Sequence, residues 1–273
     1  FPACPNGAFF DYVKCELCPK RAMSLDCIKT QCDKRHYIHK LYRVVRTFIQ
    51  QKFGGLPRDV KNYITLSKQS AALLRPYLPQ DAIYHPLENP IDIPHSPQVN
   101  VSANKAVVCV GRLDAEKGIE ILLESAKKAG VSLTLVGDGA LRQLAESYSN
   151  CLVTGWVKSA QVIEELAKAR ALVFPSLWYE TYGLVVAEAA ARGVPAIVSD
   201  ISAASERVKN GVTGWHIRSG DMEDLTRALI VIKEDEAVTK AGAAAYSEFW
   251  ASPPTCANHV EKLQLIYDRI LEI

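Results

Sequence analysis

From Ala106 to Lys233 the sequence repeats one pattern: a short apolar run, a loop, then a segment with helical periodicity. Ala106–Val110, Val131–Val136, Leu152–Val153, Ala171–Phe174, Val194–Val198 and Thr213–Ile217 read as strands. Ile119–Ala129, Leu141–Tyr148, Gln161–Ala167, Gly183–Arg192 and Met222–Lys233 read as the helices between and after them, and Val238–Phe249 as a further helix. Ala106–Val110, Ala171–Phe174 and Val194–Val198 are near-continuous apolar runs, as strands covered on both faces are. Alternating elements of this kind predict an α/β fold with a parallel sheet between helices. Such sheets bind ligands outside the carboxyl ends of their strands.

Three strand-end loops carry the chemistry. After Phe174 comes PSLWYETYG, and Gly183 opens a helix that Arg192-Gly193 closes, with glycine at the C′ position. The first amides of that helix lack intrahelical acceptors and carry the positive end of its dipole. Gly183 has no Cβ to keep a phosphate from the backbone. Glu180 precedes the helix and Glu188 lies within it, where a carboxylate can accept hydrogen bonds from sugar hydroxyls. Alone, the pair equally suits solvated helix-end acids. After Val110 comes GRLDAEKG, with Gly111 for close approach and Arg112 and Lys117 as cations before a helix. Cations there oppose the dipole unless an anion lies between. Gly137-Asp138-Gly139 and Thr154-Gly155-Trp156-Val157 follow two further strands. The latter can hold a base against backbone near Val157, although Trp156 equally suits packing. The dinucleotide fingerprint GxGxxG is absent from these loops, which disfavours a NAD or FAD domain.

The region before Ala106 reads differently. Cys4, Cys15, Cys18, Cys27 and Cys32 crowd the first 33 residues. The spacing of the last four fits a zinc thiolate site, a disulfide loop or free thiols. Residues 36–53 read as a helix, with Leu41, Val44, Val45, Phe48, Ile49 and Phe53 at helical spacing. Lys34 to Arg58 holds seven Lys or Arg and no acid. The helix suits an anionic membrane surface; a core helix with a solvated basic face is the preferred expectation. Tyr63–Leu66, a helix capped by Ser67 and running to Leu74, and Ala82–His85 make a βαβ half-unit. Prolines 86, 90, 94 and 97 stiffen the segment 86–105, a natural domain boundary. A last helix spans Cys256–Leu271. The net charge of +2 gives no argument for nucleic acid, no apolar run is long enough to span a membrane, and no secretory signal is visible. Beginning at Phe1 in a cysteine-rich loop, the sequence reads as a fragment or as lacking its beginning.

With GRLDAEKG (111–118), VGDGALR (136–142), TGWV (154–157), PSLWYETYGLVVAEAAARGVPAIVSD (175–200), NGVTGWHI (210–217) and SGDMEDL (219–225), the chain resembles the retaining glycosyltransferases of the GT-B fold, family 4 (glycosyl transferases group 1). NPID (89–92) resembles the family's entry to the interdomain linker, and CPNG with the following cysteines an insertion found in some members. The resemblance implies a complete C-terminal Rossmann-like domain over 99–255. It also implies the partial remainder of an N-terminal, acceptor-side domain over 1–98, and a helix over 256–273 that crosses back to it. Implied roles are Arg112 and Lys117 on the diphosphate, Glu180 beneath the donor sugar and Glu188 on the ribose. Amides of Thr181, Tyr182 and Gly183 would bind sugar hydroxyls, and those of Leu184 and Val185 phosphates. Tyr182 departs from the family's usual Phe; Trp215-His216 departs from smaller residues, with His216 read as structural.

The implied partners are a nucleotide-sugar donor and a glycan or lipid-linked acceptor; peripheral membrane contact through the basic helix 36–53 is the alternative its residues leave open, and nucleic acid is not expected. The implied setting is cytoplasmic, at the inner membrane face. No cofactor or essential metal is implied. A non-catalytic nucleotide-sugar-binding fragment is the alternative, since most of the N-terminal domain, with its glycine-rich loop and catalytic His, is missing from the pattern.

Overall fold

The computed structural model describes residues 3–271. The first two residues of the cysteine-rich segment and the last two of the 256–273 helix lie outside them. The chain divides into two compact units, Phe1–Asn89 with Cys256–Ile273, and Pro90–Thr255.

The first unit holds a hairpin of β1 (Phe10–Asp11) and β2 (Glu16–Leu17), then helices α1 (Leu25–Lys29) and α2 (Tyr37–Lys52). Strands β3 (Asn62–Thr65) and β4 (Ile83–Pro86) pair in parallel, with α3 (Lys68–Leu74) between them. This is the half-unit expected, and Ser67 caps α3 by accepting from the Ser70 amide. Helix α2 corrects an expectation. Its apolar stripe faces outward, with Ile38 67 % and Phe53 76 % exposed, while Lys40, Val44 and Thr47 are buried. Apart from Val44 the inner face is polar, and it satisfies its surroundings: Lys40 donates to the carbonyls of Cys27 and Thr30, and Arg43 to Asn6 and Asp33. Periodicity marks an apolar stripe without saying what covers it.

In the second unit, six parallel strands are β5 (Val107–Val110), β6 (Leu133–Val136), β7 (Cys151–Gly155), β8 (Ala171–Phe174), β9 (Ala196–Ser199) and β10 (Gly214–Ile217). They lie in the order β10-β9-β8-β5-β6-β7. The chain leaves β5 for β6 and β7 on one side, then returns to β8 on the other. The switch point is therefore between β5 and β8. Helices α4 (Ile119–Ala129), α5 (Arg142–Glu146), α6 (Ser159–Ala167), α7 (Leu184–Ala191), α8 (Met222–Val231) and α9 (Asp235–Ala251) complete it, and α10 (Cys256–Leu271) follows. Alternate strand residues feed two cores. Val107, Cys109, Leu133, Leu135, Ala171 and Val173 pack with α4 and α8. Val108, Leu172, Phe174, Ala196 and Val198 pack with α6, α7 and α9.

The boundary expected at 98/99 falls instead at Asn89/Pro90. The linker is strapped to the second unit: Val99 N donates to Arg192 O, Arg192 to Ser96 Oγ, and Tyr246 Oη to Ser96 O at 2.8 Å. The last helix groups with the first unit. Among the described residues no helix is long and apolar enough to cross a membrane.

Candidate functional site

Loops after β5, β6, β7 and β8 meet at the switch point. Gly111 (φ 150°) and Gly137 (φ 147°) face each other so closely that a Cβ on Gly137 would stand 1.9 Å from Gly111 O. No side chain fits between β5 and β6 at their ends, while the space in front of Gly111 is open. A cleft of about 320 Å³ lies there, lined by Gly111, Trp156, Val157, Leu184, Val185 and Glu188 among others. Trp156, left open as packing or ligand-facing, is 79 % exposed at this cleft.

The loop after β8 is organised by Glu180. Its Oε1 accepts from Lys117 Nζ, from Ser176 Oγ at 2.9 Å and from Trp178 Nε1 at 2.7 Å. Its backbone carbonyl accepts from Ala203 N at 3.1 Å. Lys117 and Glu180 are largely buried, with side chains 19 % and 13 % exposed, and the Lys117 ammonium lies 5.5 Å from the Trp178 ring centre. Ser176 and Trp178 are supports that the sequence reading missed, although a hydroxyl and an indole four and two residues before a carboxylate are a readable signal.

Arg112 is 55 % exposed and forks onto Asp114 Oδ2 at 2.9 Å and Glu116 Oε1 at 3.2 Å. Those acids were also missed; their signal is their spacing from Arg112 in GRLDAEKG. Two of the five guanidinium N–H donors are so engaged, and the rest of the group faces solvent. Neither cation lines the 320 Å³ cleft; both stand beside it on the same loop.

Gly183 (φ 78°) ends the loop, and α7 begins at Leu184. The structural reason for this glycine differs from the one expected. A Cβ there would meet the Ala204 side chain at 2.6 Å, so φ and packing both demand glycine, whatever approaches the amides. Leu184 and Val185 carry the first-turn amides, which have no intrahelical acceptors. Thr181 is exposed, and Tyr182 is buried under the Arg207 guanidinium, 3.9 Å from its ring centre. Glu188 is half-buried on the inner side of α7, and burial raises its pKa above the ordinary 4.5. His216 bonds Val208 O at 2.6 Å.

The raised Glu188 pKa has a consequence with a definite sign. The folded carboxyl holds its proton more tightly than the unfolded one. Its contribution to stability is thus full below pH 4.5 and lost as pH rises through the folded value. Glu188→Gln is expected to raise the melting temperature at pH 7 and to give no gain below pH 4.5. Melts at the two pH values check this; a pH-independent effect would contradict it.

Among the described residues, no three or more His, Cys, Asp or Glu side chains are arranged to hold a metal ion. What the site offers is a cleft bordered by the first residues of α7, two cations beside it, and two carboxylates in unlike settings.

Residues 94–248, more than half the chain, match the profile of the glycosyl transferases group 1. A glycogen synthase of Mycobacterium tuberculosis is 32 % identical over 148 residues, covering 50 % of this chain and 36 % of that protein. A GDP-mannose-dependent alpha-mannosyltransferase of Corynebacterium glutamicum is 31 % identical over 146 residues, covering 53 % and 35 %. The chain spans about a third of the length of these relatives. The fold is shared with sucrose-phosphate synthase of Thermosynechococcus elongatus, with a TM-score of 0.70, 20 % identity, and coverage of 92 % of this chain and 67 % of that one.

Proposed function

The chain belongs to the glycosyl transferases group 1, and from that premise we propose that its second unit binds a nucleotide diphosphate sugar, UDP- or GDP-linked, for transfer to a glycan or lipid-linked acceptor. The observation that carries this reading is the convergence of Arg112, Lys117, the α7 amides, Glu180 and Glu188 on one switch point. The donor dependence named for the Corynebacterium relative supports the ligand class.

In this reading the base and ribose occupy the cleft beside Trp156 and Val157, with Glu188 accepting from ribose hydroxyls. The diphosphate lies over Leu184 and Val185, within reach of Arg112 and Lys117. Amides of Thr181 to Gly183, with Glu180 beneath, hold the sugar. The bond from the anomeric carbon to the diphosphate oxygen breaks as charge collects on the leaving group. Arg112, Lys117 and the α7 dipole lie where that charge grows, and fixed groups of this kind need no reorganisation during the reaction. The acceptor oxygen attacks from the same face, its proton passes to the departing phosphate, and anomeric configuration is retained. Metal is not invoked, because the cations carry the countercharge. The proposed reaction class is retaining hexosyl transfer by a family 4 enzyme in polysaccharide or glycolipid synthesis. It would take place in the cytoplasm at the inner membrane face, with the outward apolar stripe and flanking bases of α2 as the membrane contact.

Calorimetry with UDP, GDP, ADP and NAD tests the donor site. One nucleoside diphosphate is expected to bind, and to add about 2.7 kcal/mol of stability at 100 times its Kd. NAD binding without nucleoside diphosphate binding would overturn the reading. Arg112→Ala is expected to weaken the preferred diphosphate about 10- to 150-fold, the worth of one charged hydrogen bond at roughly 1.5–3 kcal/mol. Unchanged affinity in a folded variant removes Arg112 from the site.

A further inference from the structure

Glu180 is held through one oxygen only. Lys117 Nζ, Ser176 Oγ at 2.9 Å and Trp178 Nε1 at 2.7 Å all donate to Oε1. Among the described residues nothing donates to Oε2. The side chain is 13 % exposed, and Oε2 keeps contact with solvent. Largely buried carboxylates are ordinarily satisfied through both oxygens, since each offers two lone pairs and buried acceptors find partners. Here every donor crowds one oxygen and the other has none.

The backbone of the same residue is fixed as well. Glu180 N donates to Trp178 O at 2.9 Å, and Ala203 N donates to Glu180 O at 3.1 Å. The tight turn from Trp178 to Glu180 returns the indole N–H to the carboxylate. Just before it, Leu177 N donates to Glu116 O at 2.9 Å, which anchors the turn to the loop after β5. Ser176 is buried two residues beyond β8, so its hydroxyl has little freedom to leave Oε1. The plane of the Glu180 carboxylate is therefore set before a ligand arrives, and Oε2 is the acceptor it presents.

We infer that Trp178 and Ser176 are positioning residues: they pin Oε1 of Glu180 so that Oε2 accepts from a hydroxyl of the transferred sugar. The inference rests on the donor-site reading of the second unit, and it adds the two side chains that set affinity for the sugar as distinct from the diphosphate. The division follows from the kind of donor each one is. Ser176 and Trp178 are neutral, so removing either leaves the charge balance between Lys117 and Glu180 intact. What is lost is orientation. A carboxylate with fewer ties turns about its terminal torsion, which is broad and two-fold. The sugar hydroxyl must then order it on binding, at a cost in entropy. A diphosphate without a sugar makes no use of Oε2 and does not meet that cost.

Calorimetry on the whole chain, pairing UDP with UDP-glucose and GDP with GDP-mannose, tests the assignment. Trp178→Phe keeps a ring beside Lys117 and removes the N–H; Ser176→Ala removes the hydroxyl. Each is expected to weaken the nucleotide sugar about 3- to 10-fold, the range of one ordinary hydrogen bond, and to change the nucleoside diphosphate less than about twofold. Trp178 is partly exposed, so its variant reads the effect even where that of the buried Ser176 unfolds. Equal losses for the nucleotide sugar and the diphosphate would mark a general support of the loop and overturn the assignment. So would an unchanged affinity for the nucleotide sugar in Trp178→Phe. In both cases the diphosphate still binds the unaltered chain and the donor-site reading stands; failure of the unaltered chain to bind either diphosphate would overturn that reading, and the assignment with it.

Discussion

Lys117→Ala is expected to weaken nucleoside diphosphate binding more than Arg112→Ala does, by at least about 100-fold, because two losses add. The first is a charged hydrogen bond to phosphate, worth roughly 1.5–3 kcal/mol. The second is exposure of the diphosphate to Glu180. In the unaltered chain the Glu180 carboxylate is tied to Lys117, with Ser176 and Trp178 as neutral donors. Removing the cation leaves a largely buried carboxylate without its counterion, a change that costs about 3–5 kcal/mol at buried pairs. It also sets that charge beside an incoming anion. Arg112, at 55 % exposure and already forked onto two acids, carries less of this burden. The double variant Lys117→Ala with Glu180→Gln should recover about tenfold of the loss, a coupling within the 0.5–3 kcal/mol seen between residues in contact. Calorimetry on the four proteins of the cycle measures it. Additive losses would show that the Lys117–Glu180 pair is not the element that sets diphosphate affinity.

Arg170→Leu is expected to be the most destabilising single change in the second unit. Arg170 is buried at the start of β8 and ties three segments together. It donates to Ser102 O and Asn104 O, at 3.1 and 3.2 Å, in the strap before β5. It donates also to Ile232 O and Lys233 O at the end of α8, and to Asp235 Oδ1 at the start of α9. The guanidinium thus meets the negative end of α8 and the acid that opens α9. Leucine fills part of the volume and leaves those carbonyls without their donor. Roughly 3–5 kcal/mol follows from breaking a buried charged network. For a unit of this size that lowers the melting temperature by about 6–20 °C. Arg170→Lys keeps the charge but not the fork, so an intermediate loss is expected. A shift below about 2 °C in Arg170→Leu, less than 1 kcal/mol on the same scale, would show that the network contributes little.

The two units differ in how much their sequences disclose. Strands β5 and β8 each read as an unbroken apolar run, and β6 does so apart from Thr134. Helix α4 falls at its expected ends because Gly118 (φ 71°) and Gly130 (φ 62°) fix both turns. The site residues were legible for the same reason: they sit at strand ends, where topology gathers loops. Partnerships were less legible. Lys117 and Glu180 are far apart in sequence, and only the β5–β8 adjacency brings them together. Arg112 was read as a cation waiting for an anion, while the structure engages it with Asp114 and Glu116. Helix α2 shows why the rest stayed hidden. Its periodicity was plain, but which stripe turns inward depends on Lys40 and Arg43 satisfying distant carbonyls and acids, which no local pattern encodes.

The central claim is that a nucleoside diphosphate lies across the loops at the β5–β8 switch point. Amide hydrogen exchange of the chain, with and without saturating UDP or GDP, tests it most directly. Protection is predicted at residues 111–118 and at 181–186, with smaller changes around 156–157 and none in β3, β4 or α10. Binding that protected other segments and left 111–118 and 181–186 unchanged, or no binding of either nucleotide by the folded chain, would contradict the account.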